Sequence, residues 1–447
     1  MATLSLCLLL ILVEACQADD TRPEQIHLAY TGTSSERIVN YVTQSTDEGL
    51  GTMVAYGTDP DRLSLKAIGD SFVYDIPLWH KDPEISAIYN VSKADPRQFS
   101  IHNVKLTGLQ PNTKYYYKVG DVNQTMSDTF SFSTKENNII YAVYGDMGYS
   151  NAVSLPQLVQ EARDGHFQAV IHVGDLAYDF YQKDADTGDN FMNAIQPVAT
   201  LVPYMALPGN HEHRFNFSHY KNRFSNMKLG PGATSGSDTS LWYSFNVGLI
   251  HFVAFDTEVF NYFSDVGQIQ RQLNWLEADL AKANTNRDKR PWIVSLAHKS
   301  KSEEQKCNYL MIWIDFMDET NFTHISPLLH KYGVDIHFCG HSHNYQRHYP
   351  YYQDEVDRPD KKNVYVNPKF MTVIVAGSAG SKEKISHGLG PKRHLAKYIF
   401  DYGFGHLQVM NHTHLRWTWE NTGVELASIE QDELWIVQDN HGMRSHA

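Results

Sequence analysis

Five short apolar runs in this chain of 447 residues each end in a residue type that can bind a metal ion. "AVYGD" runs out into Asp146, "HVGD" into Asp175, "ALPGN" into Asn210 and His211, "VSLAH" into His298, and "HFCGHSH" into His341 and His343. Apolar runs of this length, bounded by glycine, read as buried strands. Between them lie amphipathic stretches: "SLPQLVQEARDG", with Leu155, Leu158, Val159 and Ala162 on one face, then "NFMNAIQPVATLV" and "GQIQRQLNWLEADLAKAN". Strands alternating with helices predict an α/β domain with largely parallel pairings, and "LWYSFNVGLIHFVAFD" adds an antiparallel hairpin. In open sheets of this class, ligands bind beyond the carboxyl ends of the strands. One Gly-Asp is an ordinary turn. Five successive exits of ligand type exceed what turn chemistry requires.

The region before residue 134 has a different period. "QIHLAY", "RIVNYVT", "GTMVAYG", "QFSIHNVKL", "KYYYKVG" and "TFSFST" are strand-like runs separated by turns, with no helical stretch among them. That spacing predicts a β-sandwich. Within it, "LTGLQPNTKYYYKVG" resembles the tyrosine corner of fibronectin type III-like domains. The expected organisation is a leader over 1–18, a fibronectin type III-like sandwich over 22–133 and a mixed α/β domain over 136–447 with its site at the strand C-terminal ends.

The first eighteen residues, "MATLSLCLLLILVEACQA", have the apolar core and small-residue end of a signal peptide. Five sequons, at Asn90, Asn123, Asn216, Asn321 and Asn411, agree with a glycoprotein on the secretory route, secreted or lysosomal. No further stretch approaches membrane-spanning length. Cys7 and Cys16 fall in the leader, which leaves Cys307 and Cys339, as one disulfide or as two thiols. The formal charge of −13 argues against nucleic acid or an anionic membrane as partner. A phosphorylated substrate would need a local source of positive charge. Oligomeric state is left open.

The blocks Gly-Asp, Gly-Asp-x-x, Gly-Asn-His-Glu, a lone His and Gly-His-x-His resemble those of the calcineurin-like metallophosphoesterases. Most members carry Asp-x-His in the first block, where this chain has "GDMG", with Gly148 in the place of that histidine. "GDLAYD" offers Tyr178 instead. Asp-x-Gly paired with Gly-Asp-x-x-Tyr resembles the purple acid phosphatases, and specifically the animal iron/zinc type. The likeness continues through "YGVDIHFCGHSHNYQR", "VIVAGSAG" and "YGFGHLQVMNHTHLRW". It implies Asp146, Tyr178 and His343 on a ferric ion, Asn210, His298 and His341 on a divalent zinc or iron, and Asp175 between the two. A phenolate is a hard anionic ligand suited to Fe(III), and imidazoles suit Zn(II) or Fe(II). His211 is implied as the group that meets the phosphoryl oxygens or protonates the leaving alcohol, with Glu212 orienting it.

The resemblance therefore implies a secreted or lysosomal acid phosphatase that hydrolyses small phosphate monoesters by a metal-bound hydroxide. A phosphodiesterase or nucleotide hydrolase on the same centre is the alternative enzyme, and a secreted binding protein with an inactive metal site the alternative of another class. One block departs from the family: "SLAHKSKSEEQKC" has Ser295 where relatives carry valine, and Lys299-Ser300 after the histidine. Of the remaining histidines, His172 and His251 read as core or ladder residues, and His213, His219 and His348 as bystanders. Tyr345 and Arg347 are expected to pack beneath the site.

Overall fold

A computed structural model describes residues 19–77, 97–237, 239–262, 266–299, 325–387, 393–422 and 431–444. The leader, Asn90, Ser300, Cys307 and Asn321 lie outside the described residues. Eight strands come first: β1 (Glu24–Tyr30), β2 (Arg37–Thr43), β3 (Met53–Gly57), β4 (Leu65–Ile68), β5 (Asp70–Asp75), β6 (Gln98–Leu106), β7 (Lys114–Gly120) and β8 (Phe130–Ser133). They form two antiparallel sheets, in the orders β1-β2-β6-β5 and β4-β3-β7-β8. The alternation in "KYYYKVG" turns Tyr115, Tyr117 and Val119 inward, where they meet Leu28, Val39, Val54 and Phe132. The tyrosine corner is present, because the Gln110 N–H donates to Tyr115 Oη at 2.9 Å.

The rest of the chain builds two further sheets. One contains β9 (Ile140–Tyr144), β10 (Ala169–Val173), β11 (Tyr204–Leu207), β19 (Val364–Val366), β22 (Gly403–Val409), β23 (His414–Asn421) and β24 (Gln431–Val437), in the order β11-β10-β9-β22-β23-β24-β19. The other runs β12-β13-β14-β15-β20-β16-β21, from β12 (Tyr243–Val247), β13 (Ile250–Ala254), β14 (Trp292–Leu296), β15 (Ile336–Cys339), β16 (Tyr345–His348), β20 (Thr372–Ala376) and β21 (Leu395–Ile399). A short hairpin of β17 (Tyr351–Tyr352) and β18 (Glu355–Val356) lies outside both.

Parallel pairing is more restricted than the sequence suggests. It holds for β9-β10-β11, for β13-β14-β15-β20 and for β19-β24, whereas β22, β23, β16 and β21 pair antiparallel. An apolar run marks a buried strand but carries no record of its direction. Aromatic pairs close the gap between the sheets: Tyr141 with Phe252 at 4.9 Å, Phe338 with Trp417 at 4.8 Å, and Tyr345 with Trp419 at 4.5 Å. Beneath them Asp432 of β24 accepts from Tyr345 Oη (2.7 Å) and Arg347 Nε (2.6 Å), so these two residues do brace one sheet against the other.

The sandwich is locked to the second domain through buried polar contacts. Helix Asp186–Ala199 packs on β1, and Arg223 donates to Asp189 Oδ1 (2.7 Å) and Gln25 Oε1 (3.1 Å). Asn40 and Asn103 both donate to Ser225 Oγ, at 3.1 and 2.9 Å. Tyr117 Oη donates to the Thr200 carbonyl at 3.0 Å. Cys339 is buried on β15, with its thiol 3.5 Å from the Ile374 carbonyl. Asn123, Asn216 and Asn411 are exposed. No helix among the described residues is long and apolar enough to cross a membrane.

Several histidines are buried neutral. His102 sits between Thr43 (2.9 Å) and Thr52 (2.7 Å), stacked on Tyr41 at 4.4 Å, and burial pulls it down to about 4. Burial does the same to His27. Below the ordinary value near 6.5 the unfolded chain takes up protons that these rings refuse until about pH 4. Stability from each ring is therefore complete above that window and is lost as pH falls through it. For His102 the loss by pH 4.5 should reach about 2–3 kcal/mol. Thermal unfolding between pH 7 and 4.5 should show a falling Tm, with a shallower fall in His102→Gln.

Candidate metal centre

Every ligand type marked in the sequence leaves a strand at one edge of the paired sheets. Asp146 follows β9, Asp175 follows β10, Asn210 and His211 follow β11, His298 follows β14, and His341 and His343 follow β15. Four of the residues concerned hold the left-handed backbone that non-glycine residues seldom adopt: Asp146 (φ 59°), Asp175 (52°), Tyr178 (52°) and His341 (67°). Strain of this kind persists where the surroundings over-determine it, and it gathers at functional sites.

Two groups of donor atoms result. In the first, Tyr178 Oη lies 2.9 Å from Asp146 Oδ1 and 2.8 Å from His343 Nε2, while that nitrogen is 3.4 Å from Asp146 Oδ1. In the second, His298 Nε2 lies 3.1 Å from Asp175 Oδ2 and 3.1 Å from Asn210 Oδ1, and donor atoms of Asp175, His298 and His341 all fall within 4.8 Å of one another. Two of the imidazoles are oriented from behind. His298 Nδ1 donates to the Val173 carbonyl (2.9 Å) and His343 Nδ1 to the Lys384 carbonyl (3.0 Å), which turns each Nε2 into the site.

Glycines leave room for this convergence. A Cβ on Gly340 would stand 2.4 Å from Asp146 Oδ2. At Gly148 (φ 68°) a Cβ would meet Tyr178 Cδ2 at 3.3 Å. The tyrosine ring fills the space into which a side chain at 148 would project.

The electrostatics fit a bound cation. Burial, Asp146 and Asp175 hold the Tyr178 phenol far above its ordinary value. Burial opposes a charge on His298, but Asp175 outweighs it and pushes the ring up to about 10. Buried carboxylates here retain protons on neighbouring groups, so metal uptake at this site must release protons. The donor set suits a hard ion beside the phenol and a borderline ion beside the imidazoles.

His211 stands over the second group. Its backbone N–H donates to Asp175 Oδ1 (2.9 Å), its Nδ1 meets Asp179 Oδ1 at 2.5 Å, and its Nε2 lies 3.4 Å from Glu383 Oε1 and 3.9 Å from Asp175 Oδ2. Burial works against its charge, yet Asp175, Asp179 and Glu383 together push it up to about 11. Asp179 is held in turn by Gln182 (2.7 Å) and Lys382 (3.4 Å). The sequence reading passed over Asp179, although it directly follows Tyr178. Lys382 and Glu383 come from the loop after β20 and carry no local signal. Glu212 does not touch the His211 ring. Its carboxylate accepts from the amides of Gly209 (2.9 Å), Asp175 (3.0 Å) and Leu176 (3.0 Å), so it fixes the loops themselves.

Models of three families match the chain in succession: "Purple acid Phosphatase, N-terminal domain" over residues 23–134, "Calcineurin-like phosphoesterase" over 139–345 and "Iron/zinc purple acid phosphatase-like protein C" over 370–425. The chain is 35% identical to acid phosphatase type 7 of Danio rerio over 444 residues, covering 94% of this chain and 93% of that one. It belongs to the purple acid phosphatase family. The human acid phosphatase type 7 is 34% identical, with 98% of this chain and 97% of that one covered. A solved purple acid phosphatase from yellow lupin seeds has the same fold, with a TM-score of 0.75 at 23% identity over 94% of this chain and 75% of its own. This purple acid phosphatase is thus a metal-dependent phosphoesterase of the acid phosphatase type, built on a family fold that uses a dinuclear metal centre.

The other histidines of this purple acid phosphatase fall where a structural role places them. His172 bonds Tyr204 Oη (2.8 Å) in the core, and His251 bridges Asn246 (3.0 Å) and Asp279 (2.8 Å). His219 is buried edge-on to Tyr74, and His348 pairs with His394 (2.6 Å). His213 bonds the Asn210 carbonyl at 2.5 Å, which ties it to the rim of the site. Glu212→Ala would strand three buried amides, each costing about 1–3 kcal/mol. Its Tm should fall and its metal content should drop with it, as read by thermal denaturation and elemental analysis.

Proposed function

We propose that this purple acid phosphatase hydrolyses small phosphate monoesters at an Fe(III)–M(II) pair, M being zinc or iron, in the secretory pathway or lysosome. The observation that carries the reading is the contact of Tyr178 Oη with both Asp146 and His343, its ring lying where a Cβ at Gly148 would meet it at 3.3 Å. Asp146, Tyr178 and His343 would hold the ferric ion. Asn210, His298 and His341 would hold the divalent ion, and Asp175, whose charge acts on both Tyr178 and His298, would lie between them. When bound, the pair supplies positive charge to the phosphoryl oxygens and an activated water for in-line attack.

The chain's own residues then have distinct tasks. Asp179 fixes the His211 ring through Nδ1 and leaves Nε2 between Glu383 Oε1 (3.4 Å) and Asp175 Oδ2 (3.9 Å). A proton on that Nε2 can pass to the departing alkoxide. Glu212 keeps the Asp175 and Asn210 loops in register. The exposed Asn123, Asn216 and Asn411 would carry glycans.

The test begins with colour. The holoprotein should absorb broadly in the visible through the Tyr178 phenolate, and Tyr178→Phe should bleach it without unfolding it. A coloured Tyr178→Phe with its full iron would refute the ligand assignment. Asp175→Ala should lose both metals, whereas His211→Ala should keep them and lose about 10²–10⁴-fold in kcat. If His211 donates the proton, Asp179→Asn should slow alkyl phosphates much more than 2,4-dinitrophenyl phosphate, whose leaving group needs no acid. Equal slowing of both would assign Asp179 a purely structural part.

A further inference from the structure

A second group of ligand-type side chains lies on the outer face of the sheet that carries Asp146. Among the described residues, donor atoms of three histidine or acidic side chains close to within 4.8 Å of one another in two places. One is the group of Asp175, His298 and His341. The other joins Glu161, His406 and Glu420. The alternation along β22 and β23 sends Leu407, Trp417 and Trp419 into the core and His406, Thr418 and Glu420 to the opposite face. His406 pairs with Thr418 and Phe404 with Glu420, so the imidazole and the Glu420 carboxylate are diagonal neighbours there. Glu161 reaches them from the helix Leu155–Asp164, where it shares the buried face with Leu158 and Ala162.

Neighbours fix all three side chains. His406 Nε2 lies 2.8 Å from Glu161 Oε2, and His406 Nδ1 lies 4.0 Å from Glu420 Oε1. Gln157 Nε2, one turn before Glu161, donates to Glu161 Oε1 (2.9 Å) and to Glu420 Oε1 (3.1 Å), which leaves Glu161 Oε2 turned to the ring. Phe404 (5.2 Å) and Phe167 (6.3 Å) flank the imidazole. Carboxylates held by an outer hydrogen bond and an imidazole set among apolar rings are the usual supports of a metal ligand. The 2.8 Å separation also matches those between donor atoms beside Tyr178, which run from 2.8 to 3.4 Å.

The charges present favour a cation. Two carboxylates face one imidazole, and neither glutamate pairs with a lysine or arginine among the described residues. Arg416, on the same face, is taken up by Glu433 (2.8 Å) and the Trp435 ring. A protonated imidazole balances only one of the carboxylates, whereas a divalent ion on a neutral imidazole balances both. A cavity of about 360 Å³, lined also by His166 and Thr418, opens beside the group and leaves space for water on an ion. One imidazole with two carboxylates suits zinc, while calcium and magnesium prefer shells of oxygen alone.

We propose that Glu161, His406 and Glu420 form a zinc site separate from the hydrolytic centre, a clip between the helix Leu155–Asp164 and the strands β22 and β23. That helix joins β9 to β10, the strands that end in Asp146 and Asp175, and β22 is hydrogen-bonded to β9. The ion thus braces the outer side of the sheet from which the centre is built. The test uses the holoprotein with its centre already loaded, dialysed against zinc, and counts the metal bound. Wild type should take up about one further zinc per chain. His406→Gln and Glu420→Gln should each weaken that uptake more than about 100-fold, and Gln157→Ala, which removes only the outer hydrogen bonds, about 10–100-fold. Glu420, with 29% of its side chain exposed, can be changed without disturbing the buried face of the helix. Added zinc should raise the Tm of wild type and leave that of His406→Gln/Glu420→Gln unchanged. No further zinc in wild type, or equal uptake in Glu420→Gln or in the double variant, would overturn the proposal and leave the three side chains as a hydrogen-bonded cluster.

Discussion

Two carboxylates, Asp146 and Asp175, sit almost wholly out of water at the ends of adjacent strands. Burying an ionised carboxylate is costly unless it is paired and hydrogen-bonded, and the surroundings are arranged to that end. The amides of His341 and His211 point at the two side chains, and imidazoles from the opposite sheet face them. Glycines at 340 and 209 keep that space clear of side chains. Asp146, Asp175 and Asn210 come from one sheet, and His298, His341 and His343 from the other. The site therefore exists only while the sheets stay in register, which makes the aromatic layer of Tyr141, Phe252, Phe338, Trp417, Tyr345 and Trp419 part of its construction.

The same logic extends to the first domain. Arg223 follows the Asn210–Glu212 turn by one helix, and it is buried against Asp189 and Gln25 with its guanidinium near Phe99 and Phe180. Asp189 belongs to the helix that follows the Tyr178 loop. The sandwich thus holds both loops from outside. Removing one partner from a buried pair of this kind is far more damaging than the pair's net worth suggests.

The strand exits could be read from the sequence because each couples a hydrophobic run to a ligand-type residue within one or two positions. Tyr178 stood out through the resemblance to the purple acid phosphatases, whose pattern pairs Asp-x-Gly with Gly-Asp-x-x-Tyr, and the structure sets its hydroxyl against Asp146 and His343. Asp179 was equally local, but an aspartate in a Gly/Asp-rich turn has an ordinary explanation that hid it. Glu383 reaches His211, and Lys382 reaches Asp179, from a loop some two hundred residues away, and only the fold brings them there. Strand direction was the weakest inference. The alternating "HLRWTWEN" of β23 marks a strand, but whether its neighbour runs with or against it is set by connection lengths and by which edge is left uncovered.

That uncovered edge has a consequence during synthesis. The strand beside β9 is β22, so the edge of β9 that meets Gly405 and Leu407 has no partner until residues 145–402 have been made. At about 5–20 residues per second the ribosome needs on the order of ten seconds or more for that stretch. Throughout that interval the short strand that runs out into Asp146 presents open hydrogen-bonding groups. The nascent chain is therefore most vulnerable to mispairing at the very element on which its metal centre is later assembled.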